Sequence, residues 1–482
     1  MIRPAFGARS MQHIDRFYIN GAFVRPHGTD LFELVSPVTE EVIGTAVLGD
    51  RDDVDCAVAA ARRALPVFSR TGKVERIAML TRLHEAVRAR ADDIRDATID
   101  EYGGPVGRSA WVAQYAAECF VHAARTLESY PLTRDIGSAS VIMEPVGVAA
   151  LVAPWNRAAG TICSKLAMAV AAGCTTVIKP SEMSAIQAQV VAEALHQADL
   201  PPGVINFVNG RGNVVGTALS THPDIAKISF TGSTPTGKDI LRASADTMKR
   251  VSLGLTGKSP TLILDDADLD QAVPLALAAG FQNSGQACIA GTRILVPEHR
   301  LREVVERMKT AVAAIRTGDP RDPAMSIGPM ASRQQYERVQ HYIRQGLAEG
   351  ATLVAGGEGR PDGLSRGYFV RPTIFAGVRR DMTIAREEIF GPVLCVLAYE
   401  DEDDAIALAN DSDYGLHGYV FSSDRLRARA VASRLKAGGV MINGLRHEPL
   451  APFGGVGQSG LGREFGVFGL ESFLEPKTVI EA

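Results

Sequence analysis

Val146-Gly-Val-Ala-Ala-Leu-Val152, followed closely by Pro154-Trp-Asn156, is the stretch on which the reading of this chain turns. An apolar run of this length with no charge predicts a strand covered on both faces rather than one that meets water. Three further apolar or β-branched runs, mostly uncharged, follow: Thr175-Thr-Val-Ile178, Val204-Ile-Asn-Phe-Val208 and Ile225-Ala-Lys-Ile-Ser-Phe230. Helical stretches separate them, so strand and helix alternate, which predicts a largely parallel sheet with helices on both faces. A second series begins after Pro260, with Thr261-Leu-Ile-Leu264, Thr292-Arg-Ile-Leu-Val296 and Val393-Leu-Cys-Val-Leu397. Upstream, from Asp52 to Arg134, apolar positions recur every three or four residues among Arg, Glu and Asp, a helical period. The expectation is an α/β chain with two sheets and a helical region before them.

The bulk properties narrow the function class. A chain of 482 residues is too long for one core. Its 46% hydrophobic and 22% charged residues are those of a globular protein, and a net charge of −4 offers no surface for nucleic acid or anionic membrane. No uncharged apolar run reaches the roughly 18–20 residues of a membrane span; the best candidate, Leu166 to Ile178, reads as one helix and the start of a strand. Met1 to Ser10 is short and basic with no apolar core after it, so it is expected to be a disordered extension rather than a leader, with Met11 an alternative start. The cysteines, Cys56, Cys119, Cys163, Cys174, Cys288 and Cys395, contain no CxxC pair. Neither a metal site nor a disulfide framework is expected, and the compartment is expected to be reducing, the cytoplasm.

Four segments carry chemistry. Ser284-Gly-Gln-Ala-Cys-Ile-Ala-Gly291 sets Cys288 among small residues, in a loop or at a strand-to-helix turn, where substrate can approach and backbone N–H groups favour a thiolate. Asn156, just after a strand, can aim its amide into a cleft as an oxyanion donor. Lys179-Pro-Ser-Glu182 follows a second strand with a cation and a carboxylate suited to ribose hydroxyls. Phe230-Thr-Gly-Ser-Thr234 ends a third strand, and its Gly-Ser turn at a helix start suits a pyrophosphate. The glycine fingerprint of dinucleotide-binding folds is missing: Gly210-Arg-Gly-Asn-Val-Val-Gly216 has one residue too many before its last glycine. Each segment alone is more often a structural turn; it is the four together that point to a site.

Taken in this order, these motifs resemble those of the aldehyde dehydrogenase superfamily over nearly the whole chain. Supporting matches are Gly318-Asp-Pro320, Gly328-Pro329, Gly367-Tyr-Phe369 with Pro372-Thr373, Glu388-Ile-Phe-Gly-Pro392, Tyr414-Gly-Leu416, Pro452-Phe-Gly-Gly455, Ser459-Gly460 and Gly462-Arg-Glu464. The resemblance implies a Rossmann-type NAD-binding domain (1–123 and 146–256), an α/β catalytic domain (257–471) and a small β oligomerisation element (124–145 and 472–482) that builds a homodimer or homotetramer. It implies that Cys288 is the nucleophile, that Asn156 and the Cys288 N–H hold the oxyanion, and that Lys165 and Glu464 form a proton relay. Cofactor contacts would come from Trp155, Lys179, Ser181, Glu182, Gly212, Gly216, Phe230, Ser233, Leu255, Glu388 and Phe390. A carboxylate at Glu182 would accept from a ribose 2′-hydroxyl and repel a 2′-phosphate, which favours NAD over NADP.

One position departs from the pattern. Where the family has Glu-Leu-Gly-Gly before Lys258-Ser-Pro260, this chain has Gly254-Leu-Thr-Gly257, so glycine stands at the place of the general base that activates water. Four explanations are open: slow or rerouted hydrolysis through Lys165 and Glu464; an acyl acceptor that ionises more readily than water, such as coenzyme A; reverse thioester reduction or a catalytically impaired binding protein; or a change introduced to trap an intermediate. The plain structural alternative is that glycine relieves a strained turn. Arg157, Ser164, Gln282, Arg446, His447 and Phe453 are the candidate substrate residues, and if the arginines face inward the tunnel would attract a polar or anionic aldehyde. Two readings from other classes are a nucleotide-binding structural protein, which single-turnover NADH formation would exclude, and a thiol hydrolase, which ester turnover without nucleotide would support.

Overall fold

The computed structural model describes residues 11–481; Met1 to Ser10, and the extension expected there, lie outside the described residues. The uncharged runs become the centre of a six-stranded sheet. Its spatial order is Ile205–Phe207, Thr175–Lys179, Val148–Val152, Lys227–Thr231, Arg250–Gly254 and Gly460–Leu461. The first five strands are parallel and the last is antiparallel. Chain order therefore reverses between Val148–Val152 and Lys227–Thr231, and a crevice opens beyond the carboxyl ends of these two strands, the usual ligand position in an open α/β sheet. Helix Ala158–Ala172 is buried along all 15 of its residues, because it is wedged between this sheet and the helices Lys73–Ala89 and Val106–Ser129. Only a helix that meets protein on every side can be this uniformly apolar.

The second sheet has seven strands in the order Thr352–Ala355, Thr373–Ala376, Val393–Tyr399, Arg293–Pro297, Pro260–Ile263, His417–Phe421 and Gly439–Ile442. All its pairings are parallel except the first. Apolar clusters cover both of its faces, which explains why its strands, too, read as unbroken hydrophobic runs. The chain passes from the first sheet to the second through residues 255–259, so this short crossing lies over the cleft.

The expected hairpin is present but shorter than 124–145. Helix Val106–Ser129 continues to Ser129, and the strands are Thr133–Ile136 and Ala139–Pro145. The latter pairs antiparallel with the final strand, Leu474–Ile480. The helical region, expected to reach Arg134, ends at Tyr130, which caps that helix in extended conformation. Strands near the amino end, Asp30–Val35 and Val42–Leu48, were not anticipated; the second alternates buried and half-buried residues as a half-solvated strand does, while the first is mostly exposed.

Candidate active site

A cavity of about 1120 Å³ opens where the two sheets face each other, and Asn156, Arg157, Gly254, Leu255, Cys288 and Glu388 all line it. Asn156 follows the strand Val148–Val152 and immediately precedes helix Ala158–Ala172. Its Nδ2 donates to the Gln286 carbonyl at 2.8 Å, which leaves the second amide hydrogen for a ligand oxygen. Asn283 braces the same corner: its Nδ2 donates to the carbonyls of Asn156 (3.2 Å) and Gln286 (3.1 Å). Gln286 is fixed in turn by a bond from its Nε2 to the Tyr102 hydroxyl (3.1 Å) and one from the Ala331 N–H to its Oε1 (3.0 Å). Asn283 and Ser284 adopt left-handed backbone with φ of 54° and 58°, a strained kink held by this network. Asn283 and Tyr102 were missed in the sequence. Their roles depend on long-range contacts that no local motif announces.

Cys288 lies in the loop between helix Leu269–Phe281 and strand Arg293–Pro297. This is a helix-to-strand connection, so of the two alternatives the loop holds and the strand-to-helix turn does not. Burial dominates and pushes the Cys288 thiol up to about 11, against the opposing pull of the Arg157 charge and the thiol's own backbone N–H. Gly257 is needed here for close approach: a Cβ on it would sit 2.2 Å from the Cys288 carbonyl oxygen.

Gly254 is different. It ends the strand Arg250–Gly254 in register with Thr231, and its φ is not in the left-handed region. A Cβ there would meet the Thr231 Oγ1 at 3.3 Å and the Phe230 carbonyl at 3.9 Å, a mild crowding that a small Thr231 adjustment relieves. The strained-turn explanation for this glycine therefore has no support in its backbone. Behind it, Lys165 forms an ion pair with Glu464 and donates to the Ser229 Oγ at 2.9 Å. Ser229 and Thr231 share one face of their strand, so a polar file runs from the cavity wall at Thr231 inward to Lys165.

The expected cofactor residues divide into three groups. Trp155, Ser233, Leu255, Glu388 and Phe390 line the cavity. Ser233 caps helix Thr234–Ser244. Phe390 has φ 62° and meets Trp155 edge to face at 5.5 Å. Its loop is held from helix Arg333–Ala348, where Gln335 Nε2 donates to the Phe390 carbonyl (2.7 Å) and Arg338 Nη2 to the Glu388 carbonyl (2.6 Å). Burial pushes the Glu388 carboxyl up to about 7, while the Gly257 N–H, 3.2 Å from its Oε1, and the Thr256 hydroxyl act against it. A second group lies at the end of strand Thr175–Lys179, outside the cavity wall. There Lys179 and Glu182 pair at 3.6 Å, and Ser181 Oγ accepts the Met183 N–H at 3.3 Å. The third group lies off the cavity, and Phe230 in it is a correction. Phe230 is a core residue, 7% exposed and packed beneath Gly232, rather than a cavity residue. Gly212 and Gly216 open and close a single π turn on the surface, and a Cβ on either would meet nothing within 4 Å.

On the opposite side the cavity is lined by Arg157, Gln282, Arg446, His447 and Phe453, as expected. Ser164 is a further correction: it is buried inside helix Ala158–Ala172, where its hydroxyl donates to the Thr161 carbonyl at 3.1 Å. It is Thr161, nearly one turn earlier, that reaches the wall. Gln282 Nε2 donates to the Ala279 carbonyl (2.9 Å) and the Tyr419 hydroxyl (3.2 Å). Burial, with Arg157 beside it, lowers the His447 pKa to about 4, so the ring is neutral at pH 7. Sequence reasoning missed an entire wall, the Arg108, Trp111, Tyr115, Glu118 and His122 face of helix Val106–Ser129. Their three- and four-residue spacing was legible, but a mixed polar and aromatic stripe reads as an ordinary half-buried helix face.

The model of the Aldehyde dehydrogenase family matches residues 23–479. A 3-succinoylsemialdehyde-pyridine dehydrogenase from a Pseudomonas species is 47% identical over 472 residues, covering 98% of this chain and 99% of that one. Among solved structures, a mutant of aldehyde dehydrogenase C from Pseudomonas syringae, in complex with NAD+ and octanal, superposes with a TM-score of 0.95. It is 44% identical, with 97% of this chain and 96% of that chain covered. The NAD+ complex of an aldehyde dehydrogenase from Bacillus cereus gives a TM-score of 0.93 at 37% identity, with the same coverage.

Proposed function

Because the chain belongs to the aldehyde dehydrogenase family, we propose that it oxidises an aldehyde with NAD through Cys288, and that release of the acyl group is the impaired or rerouted half of the cycle. The observation that carries this reading is that Cys288, Asn156 and Gly254 line one cavity, which brings a thiol and an amide donor together where the general-base position has no side chain.

The donor set suits a dinucleotide. Glu388 retains an oxygen beyond its Gly257 bond for ribose hydroxyls, and Glu182, steadied by Lys179, offers a second carboxylate that disfavours a 2′-phosphate. Ser233, at the amino end of an 11-residue helix, suits a pyrophosphate, and Trp155 and Phe390 offer apolar ring surface. NAD, when bound, supplies the hydride acceptor. The chain's own residues do the rest. Cys288 attacks as the thiolate, its thiol proton having passed to solvent; a C–S bond forms as the carbonyl π pair moves to oxygen, where the charge is met by Asn156 Nδ2 and the Cys288 N–H. Loss of hydride from that carbon leaves a thioester on Cys288. Hydrolysis then requires water to lose a proton as the C–S bond breaks. Without a carboxylate at Gly254, the Ser229–Lys165–Glu464 file is the nearest candidate to carry that proton, at a reduced rate.

A second reading, transfer of the acyl group to a thiol such as coenzyme A, is favoured by one observation: Gly254 lines the same cavity of about 1120 Å³ as Cys288, and its missing side chain leaves that cavity roomier. Product analysis with and without coenzyme A tests both. Carboxylic acid formed slowly, with no acceleration by coenzyme A, supports rerouted hydrolysis. Coenzyme A thioester formed many times faster supports the second reading. Fast acid formation in water alone would defeat both. The three-stranded sheet ending in Leu474–Ile480, with Ile136 and Ile480 exposed, suits a homo-oligomeric contact in a dimer or tetramer. Six unpaired cysteines suit a reducing compartment such as the cytoplasm.

A further inference from the structure

We propose that Arg108 and Arg157 form a carboxylate-binding subsite, so that the preferred substrates are aldehydes carrying a carboxylate at the end remote from the reacting carbonyl. This rests on the reading of Cys288 as the nucleophile and names the class of aldehyde it meets. The two guanidinium groups sit at the ends of one aromatic ladder on the cavity wall. Arg108 lies over the Trp111 ring at 4.1 Å, Trp111 stacks on Tyr115 at 5.0 Å and 12°, and Arg157 lies over Tyr115 at 5.4 Å. Stacking fixes the planes of both guanidinium groups while leaving their N–H edges free to donate.

Among the described residues, neither guanidinium has an ion pair or a hydrogen bond, and the Arg108 Nε is buried without a partner. The fully buried arginines of this chain are treated differently. Arg293 donates to the carbonyls of Lys258, Leu408 and Ala409, and Arg76 to those of Ser69 and Ala172 and to the Thr71 hydroxyl. Arg108 and Arg157 are half-buried; the unpartnered Nε of Arg108 carries a desolvation cost, and a carboxylate ligand with two acceptor oxygens removes it. Burial and the neighbouring Arg157 charge lower Arg108 to about 10, which leaves it cationic at pH 7. The opposing acid on this wall, Glu118, is bound by Gln114 Nε2 at 2.7 Å, and Arg446 adds a third guanidinium near the mouth. His122 Nδ1 and His447 Nε2 are also buried without partners on the same cavity and can serve a polar substrate.

The test compares ω-oxo carboxylates of four to six carbons with alkanals of equal length, as kcat/KM at saturating NAD+. The expected result is a preference for the oxo acids of about tenfold or more, because a site built for a polar group rejects the analogue that lacks it. In Arg108→Met that preference falls by about tenfold or more, carried by the KM of the oxo acid, and Arg108→Lys restores part of it. Arg157 also favours the Cys288 thiolate, so Arg108 is the cleaner probe. As a readout independent of turnover, glutarate should raise the Tm of Cys288→Ala but not that of the Cys288→Ala, Arg108→Met double variant. Equal kcat/KM for the two series, a preference unchanged in Arg108→Met, or no glutarate shift overturns the subsite. If Cys288→Ala still forms NADH from either series, the parent reading fails instead.

Discussion

Restoring a carboxylate at Gly254 should return the missing half of the cycle. Gly254→Glu is sterically feasible, since the atom nearest the new Cβ is Thr231 Oγ1 at 3.3 Å and its backbone is already that of a strand end. Replacing a strand glycine contributes about 0.5–1 kcal/mol of stability through the unfolded chain, which offsets the crowding at Thr231. The Tm should therefore move by less than about 3 °C. A positioned base contributes about 10²–10⁴-fold in rate, or about 3–5 kcal/mol at 1.36 kcal/mol per decade. In the native chain deacylation should limit turnover, so Gly254→Glu should raise steady-state acid formation by that factor until another step takes over. The assay is NADH formation with quenched intact-mass measurement of the acyl-enzyme, with Gly254→Gln as a control that keeps the shape but not the base. A folded Gly254→Glu protein with an unchanged burst and no faster acid release would refute the reasoning. So would equal acceleration by the glutamine variant.

Three further outcomes follow from the same geometry. Asn156→Ala should lower the rate of acylation by about 10²–10³ with KM little changed, because one oxyanion donor is lost; a large fall in Tm would instead assign Asn156 to bracing Gln286. With the thiol pushed up to about 11, alkylation of Cys288 by iodoacetamide in the free enzyme should rise by about tenfold per pH unit from 7 to 10, and Arg157→Met should slow it at any fixed pH. A plateau near pH 8 would contradict that environment. Glu388 accepts hydrogen bonds best when ionised and its carboxyl is raised to about 7, so the Kd for NAD+ should fall as pH rises through 7 and then level; Glu388→Gln should flatten the profile.

Much of this was legible in the sequence because covered parallel strands leave a composition signal that needs no partner to be read. Val148–Val152, Thr175–Lys179 and Arg293–Pro297 each appear as apolar or β-branched runs, with a charge at most at one end. The motif residues Cys288, Asn156 and Glu388 follow or precede such elements and fall on one cavity. Ser164 misled because its hydroxyl turns back to the Thr161 carbonyl within a helix buried on every side, which its place in the sequence does not announce. Phe230 misled because the residue that ends a strand in sequence can still pack beneath the sheet. The Arg108 ladder was hidden because its meaning depends on Arg157, 49 positions away and on a different element. The raised Cys288 thiol was not legible because burial between the cavity walls is a property of tertiary packing rather than of the local residues.

The central claim is that Cys288 completes the first half-reaction and stalls in the second. Mixing enzyme and NAD+ with a slight excess of aldehyde, then following NADH and the intact mass together on the millisecond-to-minute scale, tests it most directly. The account predicts a burst of about one NADH per site, accompanied by an acyl adduct that maps to Cys288, persists through the slow phase and is absent from Cys288→Ala. Linear NADH formation without an adduct, or an adduct on any other residue, would contradict it.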